Sequence, residues 1–145
     1  MRSALALRLS ALLFGLSPSL LVSAAEIEVK VIAHPSRATA LTERDLRAIY
    51  LKQKVLWDDG EEIVPINREA GSSDRELFSQ KLLGQSSVRT AAYWNQRYFE
   101  AGEFPPPTLA SEEAVLRFVA ANENAIGYVT AADVGPSVAV VLVLR

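Results

Sequence analysis

Residues 63–78 read IVPINREAGSSDRELF, and this stretch decides how the chain is interpreted. Its short apolar run, Ile63, Val64 and Ile66, predicts a strand over residues 62–67 that leads to Arg68. Pro65 indicates an edge position or the end of this strand, because proline cannot donate to a strand ladder. Gly71, two serines and an aspartate follow, and a helical pattern begins there. A strand that leads through a small polar loop into a helix is a junction at which proteins often hold an anion.

The rest of the chain alternates between predicted strands and helices. Residues 26–33 alternate apolar and charged side chains, the pattern of a strand with one buried face. Serine or threonine N-caps followed by apolar residues at helical spacing predict four helices. The expected caps are Thr42, Ser72 or Ser73, Ser86 or Ser87, and Ser111.

The second half of the chain completes the pattern. Residues 103–108 contain three prolines and predict an extended connector. Two further strands are expected at residues 125–129 and 137–144, the last with both faces buried. The order strand, helix, strand, helix, helix, helix, strand, strand predicts a single α/β domain.

The first 24 residues have the layout of a secretory signal peptide. Two arginines give a basic start, a long apolar stretch follows, and small residues near Ala24 mark the expected cleavage point. A membrane helix is the alternative, but Arg8 and Pro18 shorten the apolar core below the roughly 20 residues that a span needs. We therefore expect a signal peptide over residues 1–24, export to the periplasm, and one domain over residues 25–145.

The composition narrows the function class. The chain has 145 residues, with 15 basic and 17 acidic side chains, no cysteine and a single histidine, His34. A chain without cysteine has no thiol catalysis and no thiolate metal site, and one histidine cannot build a multi-histidine site. The mildly acidic balance argues against nucleic-acid binding. Neither a cofactor nor a metal is expected.

Three segments occur in series: LTERDLRAIYLKQKVLWDDG at residues 41–60, VPINREAGSSDRELF at 64–78 and AIGYV at 125–129. Together they resemble the phosphate-binding proteins of ABC transporters over nearly all of residues 38–132. Lys52 stands where that family usually has glycine. The resemblance implies a single three-layer α/β lobe of a type 2 periplasmic binding protein, with a small mixed sheet flanked by helices. The family has two lobes that close on an anion, and we expect 145 residues to supply one.

The resemblance also implies a ligand site. The family loop reads arginine-x-x-glycine-serine-glycine-threonine, and Ser73 and Asp74 replace its second glycine and its threonine. Arg68, Gly71, Ser72 and Ser73 would hold a phosphate-like oxyanion through a guanidinium, main-chain amides and hydroxyls. Asp74 would either cap the helix or accept a proton from a protonated phosphate. Arg75, in the first helical turn, is a further candidate.

The same residues permit a purely structural interpretation. Ser-Ser-Asp is an ordinary N-cap cluster, and Glu76 is spaced to close a capping box with Ser73. Glu69 and Asp74 would repel phosphate. Because one open lobe offers few contacts against the cost of association, we expect affinity near millimolar, about −4 kcal/mol.

Two function classes follow. The first is an exported solute-binding-like protein that binds phosphate or a similar oxyanion weakly and is accessory to a phosphate ABC transporter. A homodimer that rebuilds a two-lobed site belongs to this class. The second is a periplasmic interaction module, without a small-molecule ligand, that partners a membrane transporter or sensor. Neither is an enzyme, since Ser72 and Ser73 lack a candidate base.

The segment YWNQRYFEAGEFPPP, residues 93–107, is the candidate partner surface. Core packing is the alternative, because aromatic side chains dominate the buried area of small domains. Joint exposure of Trp94 and Phe104 would indicate a partner site.

Overall fold

The structure is a computed structural model that describes residues 25–145. The predicted signal peptide, residues 1–24, lies outside the described residues. The strands are β1 (Val29–Ala33), β2 (Val64–Pro65), β3 (Asn67–Arg68), β4 (Thr108–Leu109), β5 (Ala125–Val129) and β6 (Ala139–Leu144). The helices are α1 (Glu43–Tyr50), α2 (Ser73–Phe78), α3 (Ser87–Ala101) and α4 (Glu112–Ala121).

Local side-chain caps start the helices where the sequence predicts. Thr42 and Asp45 form a reciprocal capping box at α1, which satisfies two main-chain donors. At α2, α3 and α4 the N-cap serine accepts a hydrogen bond from the amide three residues later; these serines are Ser72, Ser86 and Ser111. The α2 helix continues as a π-helical turn over Ser79–Leu83 and stops at Gly84, whose φ of 65° is left-handed.

Four strands form the main sheet in the order β2-β5-β1-β6. The β1 strand pairs antiparallel with β5 and β6, whereas β2 pairs parallel with β5, so the sheet is mixed. Pro65 lies on the edge strand β2, as predicted. The expectation that the last strand has both faces buried is wrong. Because β6 is the other edge, some of its side chains reach solvent, and Val140 is 43% exposed.

Helices cover both faces of the sheet and produce three layers. The α1 and α2 helices, with the π-helical turn, bury one face, where Phe78 packs with Val29, Val31 and Leu46. The α4 helix covers the other face. A Cβ on Gly127 would approach a Val115 methyl to 2.7 Å, so glycine allows α4 to pack close to β5. The predicted α/β class with helices flanking a small mixed sheet is confirmed.

A second, two-stranded sheet positions the loop after Arg68. The β3 strand is parallel to β4, and their register places Arg68 opposite Leu109. The β4 strand lies at the end of the proline-rich connector and leads directly into α4. As a result, the start of α4 lies beside the start of α2. In residues 25–145, no helix combines the length and the apolar character that crossing a bilayer needs.

Candidate functional site

Three chain segments meet at the loop after β3. Arg68 ends β3, Asp74 lies in the first turn of α2, and Thr130 directly follows β5. Thr130 Oγ1 lies 3.1 Å from Asp74 Oδ1 and 2.9 Å from a carboxylate oxygen of Glu112, in the first turn of α4. The candidate site is therefore built where two strands end and two helices begin.

Arg68 is buried, and acids of the protein match its charge. Its Nη1 donates to Asp74 Oδ2 at 2.5 Å, and its Nη2 donates to Glu69 Oε1 at 3.2 Å. The side chains of Arg68 and Asp74 are only 10% and 15% exposed, so salt and water screen this ion pair little. Arg68 Nε is buried and has no hydrogen-bond partner among the described residues. Asp74 thus accepts from an N–H group of the Arg68 guanidinium that an added oxyanion would need.

A second carboxylate takes the donors at the end of β5. Glu112 accepts hydrogen bonds from the Thr130 amide and, at 3.2 Å, from the Ala131 amide. The Thr130 hydroxyl has one hydrogen, so it donates to Asp74 or to Glu112 but not to both at once. Carboxylates of the protein itself therefore accept hydrogen bonds from most of the donor groups at this site.

The loop between Arg68 and α2 is nevertheless open. Gly71 has a φ of 85°, which favours glycine, and no atom lies within 4 Å of a Cβ built there. Ser73 is exposed. The Ser72 amide donates to the Glu69 carbonyl at 3.3 Å. Within residues 25–145, the amides of Ser73 and Asp74 have no protein acceptor, so two helix-start donors are unpaired there.

The structure assigns the capping roles at this loop. Ser72 Oγ accepts from the Arg75 amide at 3.4 Å, so Ser72 is the N-cap. A capping box between Ser73 and Glu76 is not formed, because Glu76 is used elsewhere. Its carboxylate accepts from the Ser87 amide at 3.0 Å and the Ser87 hydroxyl at 2.5 Å. These bonds, the hydroxyl first, lower the pKa of Glu76.

Tyr128 holds the backbone of Arg68 in place. The Tyr128 hydroxyl donates to Asn67 Oδ1, and the Arg68 amide donates to the same Asn67 oxygen at 2.9 Å and to the Tyr128 hydroxyl at 3.2 Å. Burial raises the pKa of Tyr128, so its hydroxyl remains a hydrogen-bond donor even in alkaline solution. The ring stacks on Phe78 with 3.8 Å between centroids. Sequence reasoning missed Tyr128, Glu112 and Thr130; only the position of Tyr128 within a predicted strand pointed to its burial.

Arg75 lies in the same helical turn but not in this ion-pair network. Its Nη1 donates to the Arg68 carbonyl at 3.2 Å, and the residue is half-buried. No carboxylate in the described part of the chain forms an ion pair with it within 4.0 Å. Its guanidinium therefore retains most of its donors.

The aromatic segment divides between core and surface. Trp94 is 4% exposed, whereas Phe104 is 63% and Phe99 85% exposed. Trp94 and Phe104 are thus not exposed together. Tyr98 lies between the two environments, with 47% exposure and its ring 5.1 Å from that of Phe104.

A three-layer α/β lobe with a helix-start loop beside an arginine is the architecture of a binding-protein lobe. The family model described as PBP superfamily domain matches residues 12–140, and the chain belongs to that family. The family resemblance drawn from the sequence is confirmed. A search of the curated proteins found no match.

Solved structures show the same fold. An ABC-type phosphate transport receptor from Vibrio cholerae is 20% identical, with a TM-score of 0.62 over 78% of this chain and 44% of that chain. A protein assigned as a phosphate ABC transporter substrate-binding protein from Clostridium perfringens, solved with bound phosphate, is 26% identical, with a TM-score of 0.56 over 78% of this chain and 43% of that chain. PstS from Borrelia burgdorferi is 20% identical, with a TM-score of 0.53 over 70% and 39% of the two chains. The chain therefore spans about two fifths of the length of these relatives, in agreement with a single lobe.

Proposed function

We propose that this protein binds phosphate or a similar oxyanion weakly and reversibly, as an exported component that is accessory to a phosphate ABC transporter. The family supports a solute-binding role, and the names of the solved relatives support the class of ligand and of partner. The signal-peptide pattern of residues 1–24 supports a periplasmic location. The proposed site consists of Arg68, Gly71, Ser72, Ser73 and Asp74.

One observation carries this proposal: two unpaired amides at an open helix start. The N–H groups of Ser73 and Asp74 have no acceptor within residues 25–145, and the space beside Gly71 is free. Such amides carry the positive end of the helix dipole and favour an anion. Arg68 lies next to them.

The same geometry keeps the affinity low. An anion that contacts the Arg68 guanidinium must compete with Asp74 and Glu69, both already hydrogen-bonded to it. A helix start contributes up to about 2 kcal/mol, and a charged hydrogen bond about 1.5–3 kcal/mol. Association costs several kcal/mol, so about −4 kcal/mol, or millimolar affinity, remains.

The role we propose is binding without chemistry. Ser72 Oγ is committed to the Arg75 amide at the helix cap. The single histidine, His34, follows β1 and hydrogen-bonds with Ser36 at 2.8 Å. Within residues 25–145, no hydrogen bond joins the hydroxyl of Ser72 or Ser73 to a histidine or a carboxylate that could act as a general base.

The test follows the two amides by NMR while phosphate is added to the purified protein. We expect the Ser73 and Asp74 amide resonances to shift with phosphate and not with chloride at equal ionic strength. Ser73 is the first helical residue, where proline is well tolerated, so Ser73→Pro deletes one amide with little disturbance. It should weaken phosphate binding several-fold. The control Ser73→Ala keeps the amide and removes only the hydroxyl, so it should weaken binding less than Ser73→Pro does.

A second candidate function, a periplasmic interaction module without a small-molecule ligand, is favoured by the ion pairs of Arg68. An arginine already matched by Asp74 and Glu69 has little charge left for a ligand. The exposed rings of Phe99 and Phe104 would then serve a membrane transporter or sensor. A phosphate concentration about 20-fold above the expected millimolar dissociation constant would nearly saturate the site. If neither amide resonance shifts at that concentration, the interaction module is the better supported function.

A further inference from the structure

A second concave region lies beside the oxyanion loop, between α2, α3 and the proline-rich connector. It is a hollow of about 300 Å³. Its walls are largely apolar and aromatic, with one cation and one amide. The lining includes Arg75, Trp94, Asn95, Tyr98, Phe104 and Pro105. This volume is at the lower end of the range found for small-molecule sites.

The cation in this hollow, Arg75, has no acidic partner within residues 25–145. Arg75 is half-buried and donates from Nη1 to the Arg68 carbonyl, a neutral acceptor. No acid in the described residues lies within ion-pair distance of it. The neighbouring arginine of α3, Arg97, differs, because its Nη2 is 2.6 Å from Glu103. An arginine that is partly withdrawn from water without an acidic partner favours a ligand that brings one.

We propose that this hollow binds a small organic acid with a hydrophobic body, with the carboxylate on Arg75 and the body against Trp94, Tyr98 and Phe104. Phe104 and Tyr98 are 63% and 47% exposed, so a ligand would remove substantial apolar surface from water. The Asn95 amide is a second polar group in the wall. The charge of Arg75 and the apolar walls together specify this class of ligand.

Alternative occupants fit the same walls less well. Inorganic phosphate would lose hydration against apolar side chains and gain a single cationic partner. A neutral aromatic molecule would leave the Arg75 guanidinium shielded from water without a counter-charge. This inference does not rest on the proposed oxyanion function, because it uses different side chains and a different ligand.

The test compares 3-phenylpropionate with its uncharged amide, 3-phenylpropionamide, on the purified protein. The chain has two tryptophans, so the Trp94 indole N–H resonance reports on the hollow while that of Trp57 serves as an internal control. We expect the acid to shift the Trp94 resonance and to bind at least about tenfold more tightly than the amide. Equal affinity of acid and amide would overturn the proposal.

Matched variants test whether Arg75 causes the preference for the acid over the amide. Arg75→Gln should abolish the preference for the acid while the amide still binds, and Arg75→Lys should retain part of it. Arg89→Gln, an exposed arginine of α3 outside the hollow, should leave the preference unchanged. A preference that survives Arg75→Gln in a folded variant contradicts the proposal. Phosphate binding is read at the Ser73 and Asp74 amides, so failure of one proposal is distinguishable from failure of the other.

Discussion

Arg68 and Arg75 lie seven residues apart on the same loop and helix start, but their electrostatic environments differ. Arg68 is buried, and carboxylates at 2.5 and 3.2 Å match its charge. Arg75 is half-buried and donates to a carbonyl, without an acidic partner in the described residues. The family motif points to Arg68, whereas the free positive charge is at Arg75. Two arginines close in sequence can therefore differ in how much charge they could offer a ligand, because their ion pairs differ.

The largest expected effect concerns the stability that the matched arginine provides. Arg68→Ala removes the cation that pairs with Asp74 and leaves this largely buried carboxylate without a counter-charge. We therefore expect the free energy of unfolding to fall by about 3–5 kcal/mol. Arg75→Ala should cost clearly less, since it breaks no ion pair. Arg117→Ala removes an exposed pair with Glu113 and should cost at most about 0.5 kcal/mol. Urea denaturation measures the unfolding free energy of all three variants. Equal losses for Arg68→Ala and Arg75→Ala would show that the two arginines do not differ in their contribution to stability.

A smaller effect is expected from the hydroxyl that positions Arg68. Tyr128→Phe removes a donor to Asn67 and an acceptor for the Arg68 amide but keeps the ring stacked on Phe78. We expect a loss of about 1–2 kcal/mol in unfolding free energy. The Trp94 resonance should stay unchanged, because Tyr128 does not line the hollow at Arg75. A stability equal to that of the wild type would show that these hydrogen bonds do not hold the site.

The smallest effect is expected at a position that touches neither arginine site. Lys52 has a φ of 55°, the left-handed region in which a side chain is strained. Lys52→Gly should raise the unfolding free energy by about 1 kcal/mol or less, because relief of strain is offset by the entropy of glycine. Both ligand titrations should be unaffected. A destabilised variant would mean that the lysine side chain contributes contacts that outweigh the strain.

The elements of the fold were predictable where their causes are local. Helix starts at Thr42, Ser72 and Ser111 depend on a side chain and an amide three residues apart, and such spacing is visible in a sequence. The left-handed stop at Gly84 is equally local. The α/β class followed from the order of the elements, and the mixed sheet followed from the family resemblance. The exposure of β6 was not predicted, because an apolar run does not reveal that its strand lies at an edge.

The ion pairs of the site were only partly predictable. Asp74 and Glu69 are close to Arg68 in sequence, so their competition with an anion was foreseen. The involvement of Glu112 was not, because parallel pairing of β3 with β4 places the start of α4 beside the loop. Thr130 follows β5 of the main sheet, and its contacts with Asp74 and Glu112 depend on tertiary packing. Two-residue strands carry too little pattern to be recognised in a sequence. The oxyanion role of Arg68, Gly71, Ser72, Ser73 and Asp74 remains a prediction.

The most direct measurement is a calorimetric titration of inorganic phosphate into the wild-type protein and Asp74→Thr. The substitution restores the threonine of the family pattern and removes the carboxylate 2.5 Å from Arg68. If Asp74 occupies the place of an anion, the wild type should bind phosphate at about millimolar strength or weaker, and the variant at least about tenfold more tightly. Micromolar binding by the wild type, or a folded variant that binds no more tightly, would contradict this account.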